Sequence, residues 1–203
     1  MTNRDIPGDA RNPGQTGADP GALIADALAR LAPRYRQVIV IGLALIVMGS
    51  AGMAVIGLSR TLSLTPVGGL MAVGALFELG VAHHARGPEG RSTPWHTAGV
   101  LTIFAALGTI AYTLLPSLVF TTFTGAALAF AGWARLRATT LVKLPGKSAI
   151  VPISASATIL LGVLIVTRWA AGDVAATGYL IALSIIMTGW GYVGLGVTLR
   201  RLL

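Results

Sequence analysis

The sequence predicts an all-α membrane protein whose six transmembrane helices form three tandem two-helix hairpins. Three observations predict this class: composition, six long apolar runs, and the placement of Lys and Arg. Of 203 residues, 54% are hydrophobic and 11% are charged, and the mean hydropathy is +0.77. Soluble domains contain roughly 25% charged residues. The composition therefore argues against a soluble enzyme, a nucleic-acid-binding domain and a disordered chain.

The net charge of +8 does not indicate nucleic acid as a partner. The basic residues stand at the ends of apolar runs, which is the pattern that orients membrane proteins. The chain has no Cys, which excludes disulfides and Cys-ligated metals.

The chain divides into three parts. Residues 1–21 are rich in Gly, Pro, Asn and Asp, without apolar periodicity, and predict a disordered cytoplasmic tail. Residues 22–35 predict a short amphipathic helix at the membrane surface, with Asp26 and Arg30 as an i,i+4 pair. Residues 36–201 form the predicted six-span membrane domain, with the lipid bilayer as its main partner.

Six apolar runs predict the spans. About 20 apolar residues cross the hydrocarbon core as a helix, and barrel strands would instead alternate polar and apolar residues. The runs do not alternate, so helices are predicted. They cover residues 38–58, 62–82, 95–115, 117–134, 148–167 and 174–199.

The basic residues predict that both termini are cytoplasmic. With six spans and this orientation, thirteen Lys and Arg lie inside and two, Arg60 and Arg168, lie outside. An excess of Lys and Arg in cytoplasmic segments is the usual orientation signal. The inside set comprises Arg4, Arg11, Arg30, Arg34, Arg36, Arg86, Arg91, Arg135, Arg137, Lys143, Lys147, Arg200 and Arg201.

A loose internal repeat groups the spans into three hairpins. The second helix of each carries a similar small and apolar segment, at residues 74–80, 125–132 and 182–189. Each copy begins and ends inside, so the copies would be related by an axis along the membrane normal. Gly-rich helix faces also allow close helix contact, within the chain or in a homo-oligomer.

The repeat architecture resembles the HdeD family of acid-resistance membrane proteins. The residues that carry the resemblance are RSTPW at 91–95, YTLLP at 112–116 and GWARLR at 132–137, and it covers roughly residues 36–201. The resemblance implies a six-span protein of the bacterial cytoplasmic (inner) membrane that is linked to survival in acid. It supplies no catalytic residues. The long N-terminal tail, the extended first hairpin and the long last span depart from the family's pattern.

Two segments match nucleotide-binding motifs but lack the surrounding sequence that those motifs require. Residues 189–194 match GxGxxG, but they lie within an apolar span and lack the preceding strand of a dinucleotide site. Residues 146–148 read GKS, but position 141, where a P-loop requires Gly, is Leu141. We therefore predict no cofactor, no metal site and no catalytic residues.

Four residues are candidates for a proton-linked role. Glu78 is an ionisable residue inside a span, roughly 7 Å from its cytoplasmic end by helical rise. The alternative is an interfacial carboxylate, or one paired with Arg86, Arg91 or another inside Arg. His83, His84 and His96 lie at the same edge, and histidine titrates near pH 6.5. A solvated loop also explains these three.

The leading functional prediction is a non-enzymatic inner-membrane protein with an acid- or stress-resistance role. The alternative is a small-solute or proton-linked transporter or channel, for which Thr and Ser side chains in the spans could line a path. An intramembrane enzyme would need paired catalytic groups, which a single Glu78 does not provide.

Overall fold

The computed structural model describes residues 20–58, 64–86, 94–115, 118–140, 149–167, 173–201 and 203. These residues form helices and short helix-terminal turns, and no strand occurs among them. The all-α prediction is therefore confirmed. The predicted tail at 1–21 lies almost wholly outside the described residues.

Seven α-helices follow one another in the part of the chain that the structure describes. Proline stands in the first turn of α1, α3 and α4, where its missing N–H leaves no hydrogen bond unmade. Asp173 caps α7 by accepting hydrogen bonds from the backbone N–H groups of Ala175 and Ala176, at 2.8 and 3.2 Å. The helices are α1 (Pro20–Leu31), α2 (Tyr35–Leu58), α3 (Thr65–Ala85), α4 (Pro94–Leu114), α5 (Leu118–Thr140), α6 (Ile150–Val166) and α7 (Val174–Arg200), with a 3-10 turn at Ala32–Arg34.

Among the described residues, four helical stretches are long and apolar enough to cross a membrane: Ile24–Leu58, Thr65–Ala85, Pro94–Leu114 and Val174–Arg200. Helix α6 is equally apolar but has 17 residues. Helix α5 has 23 residues, and its Thr residues and two Arg lower its hydropathy. The chain is thus an apolar helical fold of the kind found in membrane-embedded proteins.

The helix bounds differ from the predicted spans most strongly in α5. The expected fourth span ended at Ala134, but the helix continues to Thr140 and includes Arg135 and Arg137. Arg135, expected in a cytoplasmic connection, therefore lies within a helix. Helix α3 begins and ends three residues later than expected.

The six long helices pack in chain order as a closed ring. Each contacts the next, and α2 closes the ring by packing on α7, its most extensive helix contact. Neighbours are antiparallel: α2 approaches α7 with Gly42 against Gly189 and Ile39 against Gly196. The contact between α2 and α3, the predicted first hairpin, is the slightest of the six.

Glycines set the closest helix contacts. A Cβ built on Gly189 would lie 2.6 Å from the carbonyl oxygen of Gly42, and one on Gly125 would lie 2.8 Å from that of Gly162. Such contacts are possible only between backbones without side chains. These glycines thus serve packing within the chain, whereas a Cβ at Gly69 would meet nothing within 4 Å.

Helix α1 packs on the bundle end where α2 begins and α3 and α7 end. Its apolar residues Ile24, Leu28 and Leu31 are buried in the main core. The Nε of Arg30 donates to Asp26 Oδ2 at 3.0 Å on the exposed side. The amphipathic helix is therefore present, but its apolar face covers the bundle instead of facing lipid.

The bundle is apolar outside and partly polar inside. Large apolar side chains on every long helix are exposed, among them Val47, Leu76, Phe104, Phe130 and Leu160. Buried polar side chains include Glu78, Thr102, Arg135, Ser184 and Thr188. In a soluble protein, most large apolar side chains are buried and most charged side chains are exposed.

Candidate functional site: a buried charge pair

A salt bridge between α3 and α5 lies at the centre of the bundle. Arg135 Nη2 approaches Glu78 Oε1 at 2.6 Å and Oε2 at 2.7 Å. Glu78 is 1% exposed and Arg135 is 8% exposed. Both distances are at the short end for a charge-assisted hydrogen bond. One guanidinium nitrogen thus contacts both carboxylate oxygens, while the remaining guanidinium N–H groups face elsewhere.

Hydroxyl groups from two further helices contact the pair. Arg135 Nη1 donates to Thr188 Oγ1 of α7 at 3.2 Å, and Nη2 lies 3.1 Å from Thr102 Oγ1 of α4. Thr102 has a single hydroxyl proton, and it lies closer to the Ala98 carbonyl oxygen (2.9 Å) than to Glu78 Oε2 (3.4 Å). Thr102 therefore accepts from Arg135 and donates mainly to its own helix.

The site draws on four helices. Glu78, Arg135 and Thr188 lie on α3, α5 and α7, which are the second helices of the three predicted hairpins. A cavity of about 10 Å³ adjoins the pair, and that volume holds about one water-sized sphere. Residues of five helices line the cavity, including the Ser184 side chain and the apolar Leu45, Met71 and Leu128.

Two buried polar atoms beside the pair have no hydrogen-bond partner. They are Arg135 Nε and the Tyr192 hydroxyl oxygen, both nearly free of solvent contact. Tyr192, on α7, lies within electrostatic reach of both Glu78 and Arg135. Buried polar groups almost always find a partner, so these two unpaired atoms, one on Arg135 and one within its electrostatic reach, indicate an unused hydrogen-bonding capacity.

The pair can take up or release one proton, at the Glu78 carboxylate. Arginine keeps its charge at any physiological pH, whereas a carboxylate can be protonated. Protonation of Glu78 would therefore leave the Arg135 cation without its counter-charge inside the bundle. Removing one partner of a buried pair is strongly unfavourable, because the other charge remains desolvated. The pair thus links the protonation of one residue to the packing of four helices.

The three histidines do not join this site. His83 and His84 are exposed on the last turn of α3, with their rings 5.9 Å apart and edge-on. A ring nitrogen of His84 lies 2.7 Å from the Gly80 carbonyl oxygen. His96 is half-buried in the first turn of α4, within electrostatic reach of Arg86. The loop interpretation is therefore wrong for all three, since each lies in a helix.

Glu78 pairs with an Arg, as one of the two sequence alternatives expects, and the partner is Arg135 instead of Arg86 or Arg91. Arg135 is difficult to single out from sequence, because GWARLR resembles the end of a span and places it in a connection. The spacing of small residues along α5 indicates that Arg135 is buried. Buried small residues continue past Trp133 at helical intervals, at Ala131, Ala134 and Ala138, which places Arg135 on the buried side.

Most of the hydroxyl residues in the spans bond locally. Thr109, Thr158 and Thr198 donate to the carbonyl oxygen four residues earlier, and Ser154 and Ser184 to that three residues earlier. Such bonds satisfy the hydroxyl within its own helix. Among the hydroxyl residues of the spans, Thr102, Ser184 and Thr188 border the central cavity.

Other chemistry finds little support in the part of the chain that the structure describes. Within it, no group of three His, Asp or Glu side chains lies close enough to hold a metal ion. The GxGxxG segment is helical, with Gly191 against Ser154 and Gly194 against Ile150. Comparisons with protein-family models, with curated proteins and with solved structures give no match to this chain.

Proposed function

We propose that the chain is a non-enzymatic, six-span protein of the bacterial inner membrane that contributes to survival in acid or a related stress. The six spans are α2 to α7, with both termini in the cytoplasm. The second helices of the three hairpins meet at the bundle centre. The expected similarity to the HdeD family motivates the acid role.

The packing of α5 and α6 supports counting them as spans. Each contacts two neighbours within the ring, and α5 contributes Arg135 to the central pair. Helix α6 has 17 residues, near the lower limit for a transmembrane helix. Omitting either helix would leave a gap in the ring of packed helices.

The observation that carries the proposal is the buried Glu78–Arg135 pair. Ionisable residues at membrane depth are costly and are usually functional. Glu78 is the member of the pair that can be protonated, and its protonation would leave the buried Arg135 cation between α3 and α5 without its counter-charge. The proposed acid response is the change in helix packing that follows the loss of this counter-charge.

The second candidate is a small-solute or proton-linked transporter. The charge pair and the cavity beside it favour this alternative, since transporters place such groups near the centre of the bundle. The cavity of about 10 Å³ accommodates no solute larger than water in this conformation. Transport would therefore require a second conformation in which the helices around the pair separate.

A deletion strain tests the acid role. We expect lower survival and a lower cytoplasmic pH after an acid shift than in the parent strain, with both restored by the wild-type chain. Equal survival of deletion and parent strains would contradict it. Proteoliposomes holding the purified protein test the second candidate, because solute or proton flux above that of empty liposomes would favour a transporter.

A further inference from the structure

The charge pair also defines a binding site for a small anion. We propose that Arg135, together with the Tyr192 hydroxyl and Thr188, binds a monovalent anion such as chloride when Glu78 is protonated. The inference depends on the proposed function in one respect: protonation of Glu78 is the condition under which the anion binds. The site itself is built by Arg135 and its neighbours.

The argument begins with charge conservation. In the ionised state Glu78 balances Arg135, and the pair is neutral. Protonation converts the carboxylate to a neutral acid, while the guanidinium keeps its positive charge. A single positive charge buried among five helices is unfavourable unless a counter-ion compensates it. One proton and one anion entering together leave the site neutral again.

The donors for such an anion are already present. Arg135 Nε and the Tyr192 hydroxyl are buried and have no partner, and both carry a hydrogen. When Glu78 is neutral, Arg135 Nη2 can also turn from the carboxylate toward the anion. The charged donor favours an anion over a neutral ligand, and the lack of room favours a small one.

The surrounding elements supply no competing counter-charge. In the described parts of the helices around α3, the charged and titratable groups that face Glu78 are Arg135 of α5 and Tyr192 of α7. Asp26 and Arg30 of α1 bind each other at the surface, and His83 and His84 point outward. His96 of α4 lies within reach of Arg86 instead. Tyr35 and Arg36 of α2 contact each other at the bundle surface.

The test of the site must take into account how little space the cavity offers an anion. The cavity beside the pair measures about 10 Å³, enough for one water, so chloride requires the carboxyl group to move. Glu78→Ala removes the carboxyl group and leaves both space and an uncompensated Arg135. Glu78→Gln keeps the shape and mimics the protonated side chain.

The experiment measures thermal unfolding of the full chain in lipid nanodiscs, with chloride replaced by gluconate at constant ionic strength. A ligand that binds the folded state raises the midpoint in a concentration-dependent way. We expect chloride to raise the Tm of Glu78→Ala and Glu78→Gln at neutral pH, and that of the wild type only in acid. Tyr192→Phe in the Glu78→Gln background should weaken chloride binding on the order of tenfold, since one hydrogen bond to a charged group is lost.

The control is Glu78→Gln combined with Arg135→Gln, which should show no preference for chloride. Chloride dependence that persists in this double variant would overturn the proposal, as would its absence from both single variants. If the single variants bind chloride and the wild type shows no chloride effect in acid, the anion site stands and the proton response of Glu78 fails. The wild-type measurement also keeps the test decisive if Glu78→Ala does not fold.

Discussion

At the residue scale, Glu78 and Arg135 depend on each other more than on the rest of the bundle. Glu78 has no other cation within hydrogen-bonding distance among the described residues, and Arg135 has no other carboxylate. Either residue alone would be a buried, unpaired charge. The strength of the pair is therefore visible only when both members are changed together.

A double-mutant cycle measures this dependence. Arg135→Gln should lower the free energy of unfolding by about 3–5 kcal/mol at neutral pH, because an unpaired buried charge remains. The double variant Glu78→Gln, Arg135→Gln should recover most of that loss. The free energies of unfolding of the single and double variants can be measured in detergent micelles.

The exposed pair of α1 provides the matched control for this cycle. Asp26→Asn should cost less than about 1 kcal/mol, since Asp26 and Arg30 are 56% and 39% exposed in their side chains. Additive effects of Glu78→Gln and Arg135→Gln, each as small as that of Asp26→Asn, would mean that the buried pair carries no special coupling.

At the element scale, the ring is closed by the contact between α2 and α7. Gly189→Ala should destabilise the protein by about 1–3 kcal/mol, because its Cβ would overlap the Gly42 carbonyl oxygen and the Ile46 side chain. Gly69→Ala is the control, with open space at the Cβ position and an equal change in helix propensity. Equal stability of the two variants, measured by unfolding in micelles, would contradict the observed packing of α2 on α7.

Helix α1 should detach when its buried face is made polar. Leu28 is buried in the core and Ala29 is exposed on the same turn. Leu28→Asp should raise amide exchange and protease sensitivity across Pro20–Leu31, because a buried carboxylate there lacks a partner. Ala29→Asp should leave both unchanged. Equal protection in the two variants would show that α1 does not depend on this docking face.

The helices were more predictable from the sequence than the contacts between them. Each long helix follows from an apolar run, since backbone polar groups in lipid must be satisfied within the segment. The end of α5 was missed because Arg135 and Arg137 resemble the charged end of a span. The docking of α1 on the bundle was also missed, since an amphipathic pattern fits lipid and protein surfaces equally well. Long-range pairs such as Glu78 with Arg135 leave no local pattern in the sequence.

At the scale of the whole molecule, the orientation is a prediction that chemical labelling can test. The chain has no Cys, so single Cys substitutions report one position each. Thr140 and Leu203 should be shielded from an impermeant thiol reagent outside intact cells, whereas Leu115 and Thr167 should label. All four positions are exposed at helix ends or at the C-terminal residue. Labelling at Thr140 with protection at Leu115 would reverse the proposed orientation.

The central claim is that protonation of Glu78 beside Arg135 carries the acid response. The most direct measurement is acid survival of a deletion strain that expresses the Glu78→Gln, Arg135→Gln double variant, with Asp26→Asn as the control. The double variant keeps the shape of the Glu78 side chain, carries no charge at either position and cannot titrate at this site. We expect it to reach the membrane at wild-type levels and to survive no better than the deletion strain, while Asp26→Asn restores survival. Full restoration of survival by the double variant would contradict the account.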